Sequence, residues 1–346
     1  MMTLKEFTQR VLVLILLSAL ALMLFKIKNI LLLLFASILM AVLIRATVEF
    51  IKEKAKLGEG VSFALALLLL VGLIAGFFAM FGFQISKQLQ DLIEILPKGM
   101  EQLSERFDID LTWNEIRNAV GASEASDILK KVSVYGLTTF NIITDLMLMF
   151  VAAIFLAADP TAYRDGALLV VPPRARKHLG ETMNAVGQAL KKWFGGQLLE
   201  MGAVFLMSAA AYWLLGLPSA LALAAIAGVT NFIPMLGPII GGLAAVMVAA
   251  TLGAPTLLWT ALAVLIIQQI ESHLLMPFIQ RYAVSIPPAL VIFSILGFSA
   301  LFGVAGVILG VPLAVALTVV VQNLWVNETL GEDVPLAGSS QDKPNA

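Results

Sequence analysis

A carboxylate set among amides in an apolar run is the feature of this sequence that points most directly to chemistry. Glu271 lies in Gln268-Gln269-Ile270-Glu271-Ser272-His273, inside the apolar stretch Thr256–Met276. On a helix Gln268, Glu271 and Ser272 share one face, with Gln269 and His273 on an adjacent one. Such a run cannot face lipid cheaply, so it is expected to line a cavity or a helix–helix interface. Two readings stay open: an ion or solute site, or hydrogen-bond glue between helices. No Lys or Arg falls in the core of any apolar stretch. The expected partner of Glu271 is therefore His273, a polar amide, water or a bound cation, unless a loop base reaches in. Two more acids share the problem. Asp145 lies in the run Gly136–Ala158, where the alternative role is a polar contact between helices. Glu200 lies in Gln197–Leu215, where the alternative is pairing with Lys191 or Lys192.

A second constellation is Thr230-Asn231-Phe232-Ile233-Pro234-Met235-Leu236-Gly237-Pro238. Pro234 and Pro238 each remove a backbone donor and clash with the preceding turn. Broken backbone at membrane depth is tolerated only where protein or water covers it. Two half-helices meeting here would aim dipole ends, free carbonyls and Asn231 into the interior, where they could bind an ion or polar solute. A plain kink, or a turn outside the membrane, is the alternative. A third run, Gly297 to Gly306 followed by Gly310 and Pro312, reads as close packing, and a re-entrant hairpin would also suit it.

The elements that must carry these residues are set by composition. Of 346 residues, 60% are hydrophobic and 13% charged. A soluble domain is roughly 45–50% apolar and about 25% charged, so this much apolar surface needs a bilayer. A net charge of -1 offers no field for nucleic acid. Cys is absent and His occurs only at His178 and His273, which excludes disulfides and a metal centre built on Cys or His, and no cofactor motif occurs.

A helix needs about 20 apolar residues to cross the hydrocarbon core. By that measure the chain is expected to be an all-α integral membrane protein of about eight transmembrane segments. They are Val11–Phe25, Ile30–Ile44, Gly60–Phe83, Gly136–Ala158, Gln197–Leu215, Ser219–Leu252, Thr256–Met276 and Ile286–Val321. The sixth and eighth are too long for one straight crossing and are interrupted or re-entrant. Residues 1–83 hold the first three helices, and residues 136–158 the fourth. Between them residues 84–135, with nine acids and six bases, read as a small helical domain outside the membrane. Residues 159–196 read as a cytoplasmic amphipathic linker lying in the interface, with Leu179, Met183, Val186, Leu190 and Phe194 on one face. Residues 197–331 form the membrane core, and 332–346 a disordered tail. Lys and Arg concentrate in 1–10, 45–59 and 159–192, which places both termini in the cytoplasm, with Lys26 and Lys28 dissenting.

Phe232-Ile233-Pro234-Met235-Leu236-Gly237-Pro238 resembles the F-I-P-x-x-G-P signature of the autoinducer-2 exporter (AI-2E) family. Gln268, Glu271 and Pro277 resemble that family's acidic stretch before a proline. Pro288, Gly303, Gly306 and Pro312 resemble its C-terminal pattern and are expected to serve packing. Met235 stands where the family often has an aromatic, and His273 where Asn is frequent, which leaves substrate identity open. The resemblance implies a multi-span transporter of the cell (inner) membrane, a homo-oligomer, with pentamers suggested for the family. It implies as partners the bilayer and either a small polar solute such as autoinducer-2 or the ions of a sodium/proton antiport. No ATP-binding motif occurs, so transport would run on a gradient. The rival readings are a passive pore formed by a homo-oligomer, an intramembrane enzyme, and a scaffold. The enzyme lacks support, because no G-x-S-x-G, H-E-x-x-H or paired intramembrane aspartates appear.

Overall fold

The computed structural model describes residues 4–73, 75–76, 144–234, 236–280, 284, 287–327 and 330–332. Among them every regular element is helical. The expected domain at 84–135, the end of the third span and the tail beyond 332 lie outside the described residues.

Four helices among the described residues are long and apolar enough to cross a membrane: Lys28–Ala55, Pro173–Leu214, Ala254–Ile279 and Val304–Asn327. Thr144–Ala158 and Pro160–Leu169 make a fifth if that bent pair is one span. The chain is thus a multi-pass membrane protein, with fewer full-length crossings among these residues than the eight expected.

The order begins with α1 (Leu4–Lys26) and α2 (Lys28–Ala55), which break at Ile27. The second helix runs well beyond the expected Ile30–Ile44, since an apolar run marks the lipid-facing part of a helix and not its ends. Helix α3 (Glu59–Leu73) and α4 (Thr144–Ala158) pack on α2 through Ala41, Ile44, Val48, Ala66, Ala153 and Ala157. Small side chains allow that close approach. Arg45 ties the three together: Nη1 donates to Glu59 Oε1 at 2.7 Å and Nη2 to the Ala158 carbonyl at 2.7 Å. At the other end of α2, Lys28 Nζ donates to the Leu301 carbonyl at 2.6 Å and lies 4.5 Å from the Phe25 ring centroid. One of the two dissenting lysines is thereby satisfied by the protein itself.

After α4 the chain turns by 92° at Asp159 into α5 (Pro160–Leu169). Asp159 Oδ1 accepts from Ala162 N at 3.0 Å and from Thr161 Oγ1 at 2.8 Å, capping α5 with Pro160 at its first position. The next helix corrects an expectation. Residues 159–196 do not form a linker separate from the fifth span; α6 runs unbroken from Pro173 to Leu214. At 1.5 Å per residue its 42 residues extend roughly 63 Å, about twice the hydrocarbon core. Its apolar stripe therefore serves packing against neighbours: Ala189, Leu190 and Trp193 join Leu39, Val284, Val311, Val315 and Val319 in one cluster.

Both interrupted segments fold back on themselves. Helix α7 (Ala220–Thr230) and α8 (Leu236–Ala250) are roughly 16 and 22 Å long, each short of a crossing. They pack antiparallel, with Gly241 against Ala227 and Gly237 against Asn231 and the Thr230 carbonyl, places with no room for a Cβ. The Pro234 break is thus a reversal rather than a kink. Helix α9 (Ala254–Ile270) continues through a π-helical turn (Glu271–Leu275) into α10 (Met276–Gln280). Helix α11 (Pro288–Phe302) and α12 (Val304–Val320) form the second hairpin about Gly303, whose φ of +62° suits glycine. Gly306 lies against Phe298 and Gly310 against Ile295. Gly306 and Pro312 are buried, as expected for packing. Pro277 and Pro288 are exposed; Pro288 opens α11, where its missing N–H costs nothing.

Candidate functional site: two buried carboxylates about a broken helix

Along α6 a stripe at three- and four-residue spacing faces inward: Trp193, Gln197, Glu200, Val204, Ser208 and Tyr212. Trp193 to Tyr212 covers roughly 28 Å of helix axis, close to the thickness of the hydrocarbon core. Glu200 sits roughly 13 Å past Lys191 along that axis. It does not pair with Lys191, which bonds Glu49 of α2 instead. Glu200 is buried, 5% exposed.

The α7–α8 hairpin brings its turn to the same level. Gln197 Nε2 donates to the Asn231 carbonyl at 2.9 Å, fixing the broken backbone to α6. Thr230 Oγ1 donates to the Ile226 carbonyl at 2.7 Å and reaches the Gly237 carbonyl at 3.1 Å, closing the neck of the hairpin. Asn231 is 1% exposed. Its side chain stands against the carboxylates of both Glu200 and Glu271, yet Oδ1 and Nδ2 complete no hydrogen bond of normal geometry. The contacts are close but open.

Glu271 begins the π turn and is 7% exposed. In that wider turn the Met276 N–H bonds back to the Glu271 carbonyl, five residues away. Gln268, one turn earlier, is half-buried beside it. The rest of the expected polar face is turned out. Gln269 and Ser272 are exposed, and His273 is exposed with Nδ1 3.2 Å from the Gln269 carbonyl. His273 is therefore not the partner of Glu271. Asp145 is exposed near the start of α4 and takes no part in the cluster.

Two separate clefts carry these residues. The larger, about 550 Å³ including its open mouth, is lined by Trp193, Gln197, Glu200, Pro234 and Met276, with Val311 behind. The smaller, about 290 Å³ on the same measure, is lined by Ser208, Tyr212, Pro238, Val264, Gln268 and Glu271. Each carboxylate and each proline thus belongs to a different cleft. Beside the larger one Trp193 packs edge-on against Phe194 and Phe232, which tilt against each other, all at centroid distances near 6 Å. Gln197, Ser208 and Tyr212 were not singled out from the sequence. Their spacing along one face of α6 from Glu200 was the available signal.

The sequence model of the AI-2E family transporter matches residues 11–325. Among curated proteins, "Putative transport protein YrrI" of Bacillus subtilis is 33% identical over 150 residues, 43% of this chain and 42% of that one. The match therefore spans under half of that relative. "Putative transport protein YueF" of the same organism is 26% identical over 275 residues, 74% of each chain. "Putative permease PerM" of Escherichia coli is 25% identical over 248 residues, 71% of this chain and 69% of that one.

Proposed function

The chain belongs to the AI-2E family of transporters, and on that premise we propose that it is a secondary transporter whose ion-coupling residue is Glu271, with Asn231 and Gln268 beside it. The observation that carries this reading is the burial of Glu271 against an unpartnered Asn231 at a broken helix. A carboxylate held there, with no base among the described residues that line its cleft, costs free energy that packing alone does not require. Broken helices near the middle of the membrane are also where transporters place their sites.

The cargo in this reading is a small polar solute, exported from the cell, or sodium exchanged for protons. The protein works in the cell membrane as a homo-oligomer with both termini in the cytoplasm. A carrier is favoured over a passive pore because Glu200 and Glu271 line different clefts rather than one continuous path. The test is flux in proteoliposomes under imposed proton and sodium gradients, with a panel of small solutes. Glu271→Gln should elute as the native assembly and lose gradient-coupled flux. Unchanged flux and pH profile in that variant would return Glu271 to a packing role.

A further inference from the structure

Two buried carboxylates whose clefts hold no base among the described residues call for a positive charge from elsewhere. Glu200 on α6 and Glu271 on the π turn are near enough to interact electrostatically. Like charges in a low-dielectric interior repel strongly. Among the described residues that line the two clefts there is no cation. Of the residues lining the two clefts, the polar ones are Gln197, Ser208, Tyr212 and Gln268, and none is Lys, Arg or His. Lys191 is engaged with Glu49, and His273 faces outward. Tyr212 is the one other titratable group on these linings, well along α6 from Glu200.

Asn231 adds an independent sign. Its main-chain carbonyl is held by Gln197, which fixes the backbone from which the amide projects. Its Oδ1 and Nδ2 are buried and unpartnered while the side chain stands against both carboxylates. An amide can offer oxygen to a cation and N–H to a carboxylate, so one Asn can serve a pair in which only one member is neutralised.

We propose that Glu200, Asn231 and Glu271 form a single site for one monovalent cation, a proton or an alkali ion, shared by the two carboxylates. Glu200 lines the cleft toward Trp193 and Glu271 the cleft toward Tyr212, so movement of the cation from one carboxylate to the other transfers it between clefts. Among the described residues no third acid or histidine joins the two carboxylates to make a metal-ligating group. The inference deepens the transporter reading and rests on it for its purpose, but its test needs no transport.

The test is thermal unfolding of the purified full-length protein in detergent. One arm replaces choline by sodium or potassium at constant ionic strength and fixed pH. The other lowers the pH in choline alone and is read as the difference from the Glu200→Gln/Glu271→Gln double variant, which removes the contribution of other acids. The expected result is a rise in the melting temperature of the native chain on one arm, naming the alkali ion or the proton. Glu200→Gln and Glu271→Gln should each lose that rise, and the double variant should lose no more than either. A single variant keeping half or more of the shift would overturn the shared site in favour of independent ones. No shift of the native chain on either arm would overturn it outright. Should a Gln variant not fold, the Asp variant at the same position replaces it. A weaker response there supports the proposal, and a response equal to the native chain's overturns it.

Discussion

Glu200 and Glu271, on separate helices and far apart in sequence, both stand against the Asn231 side chain, and each lines a different cleft. The relationship depends on three local devices. A stripe on α6 carries Glu200 inward. The Pro234 reversal puts Asn231 at the same depth. The π turn separates Glu271 from the polar residues that follow it.

The first expectation concerns Asn231. Asn231→Leu removes a buried amide without good hydrogen bonds and fills similar volume. Burying such a group unpaired costs about 1–3 kcal/mol, so the variant should unfold at a temperature equal to or above that of the native chain. Its gradient-coupled flux should fall at least about tenfold, equivalent to about 1.4 kcal/mol. Melting in detergent and flux in proteoliposomes check the two halves. Native flux would show that the amide is packing.

A second expectation concerns the neck of the first hairpin. A Cβ at Gly237 would overlap the Asn231 Cα and the Thr230 carbonyl, which are backbone and cannot turn aside. Gly237→Ala should therefore destabilise by about 1–3 kcal/mol or more, as overpacking does. Gly202→Ala on α6, where a Cβ meets nothing within 4 Å, should be neutral or raise stability by up to about 1 kcal/mol through helix propensity. Paired melting curves decide it.

Arg45 provides a third. It joins Glu59 at the start of α3 to the Ala158 carbonyl at the end of α4. The Glu59 side chain is largely exposed, so the ion pair itself adds little, and the bond to the carbonyl carries most of the effect. Arg45→Ala should cost roughly 1–2 kcal/mol. It should also raise proteolysis between α3 and α4 before the α6–α12 core is lost. Limited proteolysis followed by mass spectrometry reads this.

The fourth concerns acid. The Asp159 carboxyl, exposed at the bend between α4 and α5, is held below its usual range by the Ala162 N–H and then by the Thr161 hydroxyl. A group depressed in the folded state contributes stability that is present above its unfolded value and lost as pH falls through the folded one. Fraying of α5 should therefore grow only in acid below the ordinary aspartate range. Asp159→Ala should show that fraying already at neutral pH, with no further acid step. Hydrogen exchange of residues 160–169 is the measurement.

Much of the architecture was legible in the residues. The apolar runs marked the membrane helices, and Pro234, Pro238 and Gly303 marked the two breaks, because proline and glycine act on the backbone wherever they stand. Glu271 was conspicuous for the same local reason, an acid where acids are costly. The neighbours of these residues were not legible. A helical wheel put Ser272 on the face of Glu271 and Gln269 and His273 on an adjacent one, but a wheel assumes uniform turns and does not say which face is covered; the π turn starts at Glu271, and all three of those residues are exposed. The amphipathic face at 179–194 suggested a helix in the interface. Periodicity reports which face is apolar and not what covers it, and here the cover is α2 and α12.

The sequence alone therefore determined that the chain lives in a bilayer, where its helices must break, and which acids are out of place, since composition and backbone chemistry are local properties. Only the tertiary structure decided that Glu200 turns from Lys191 toward Asn231, that His273 and Asp145 stand aside, and that the broken segments reverse rather than kink. Those outcomes depend on contacts between residues far apart in the chain. Their free energies arise from the shape of the space that the packed helices leave, and no single helix contains that shape.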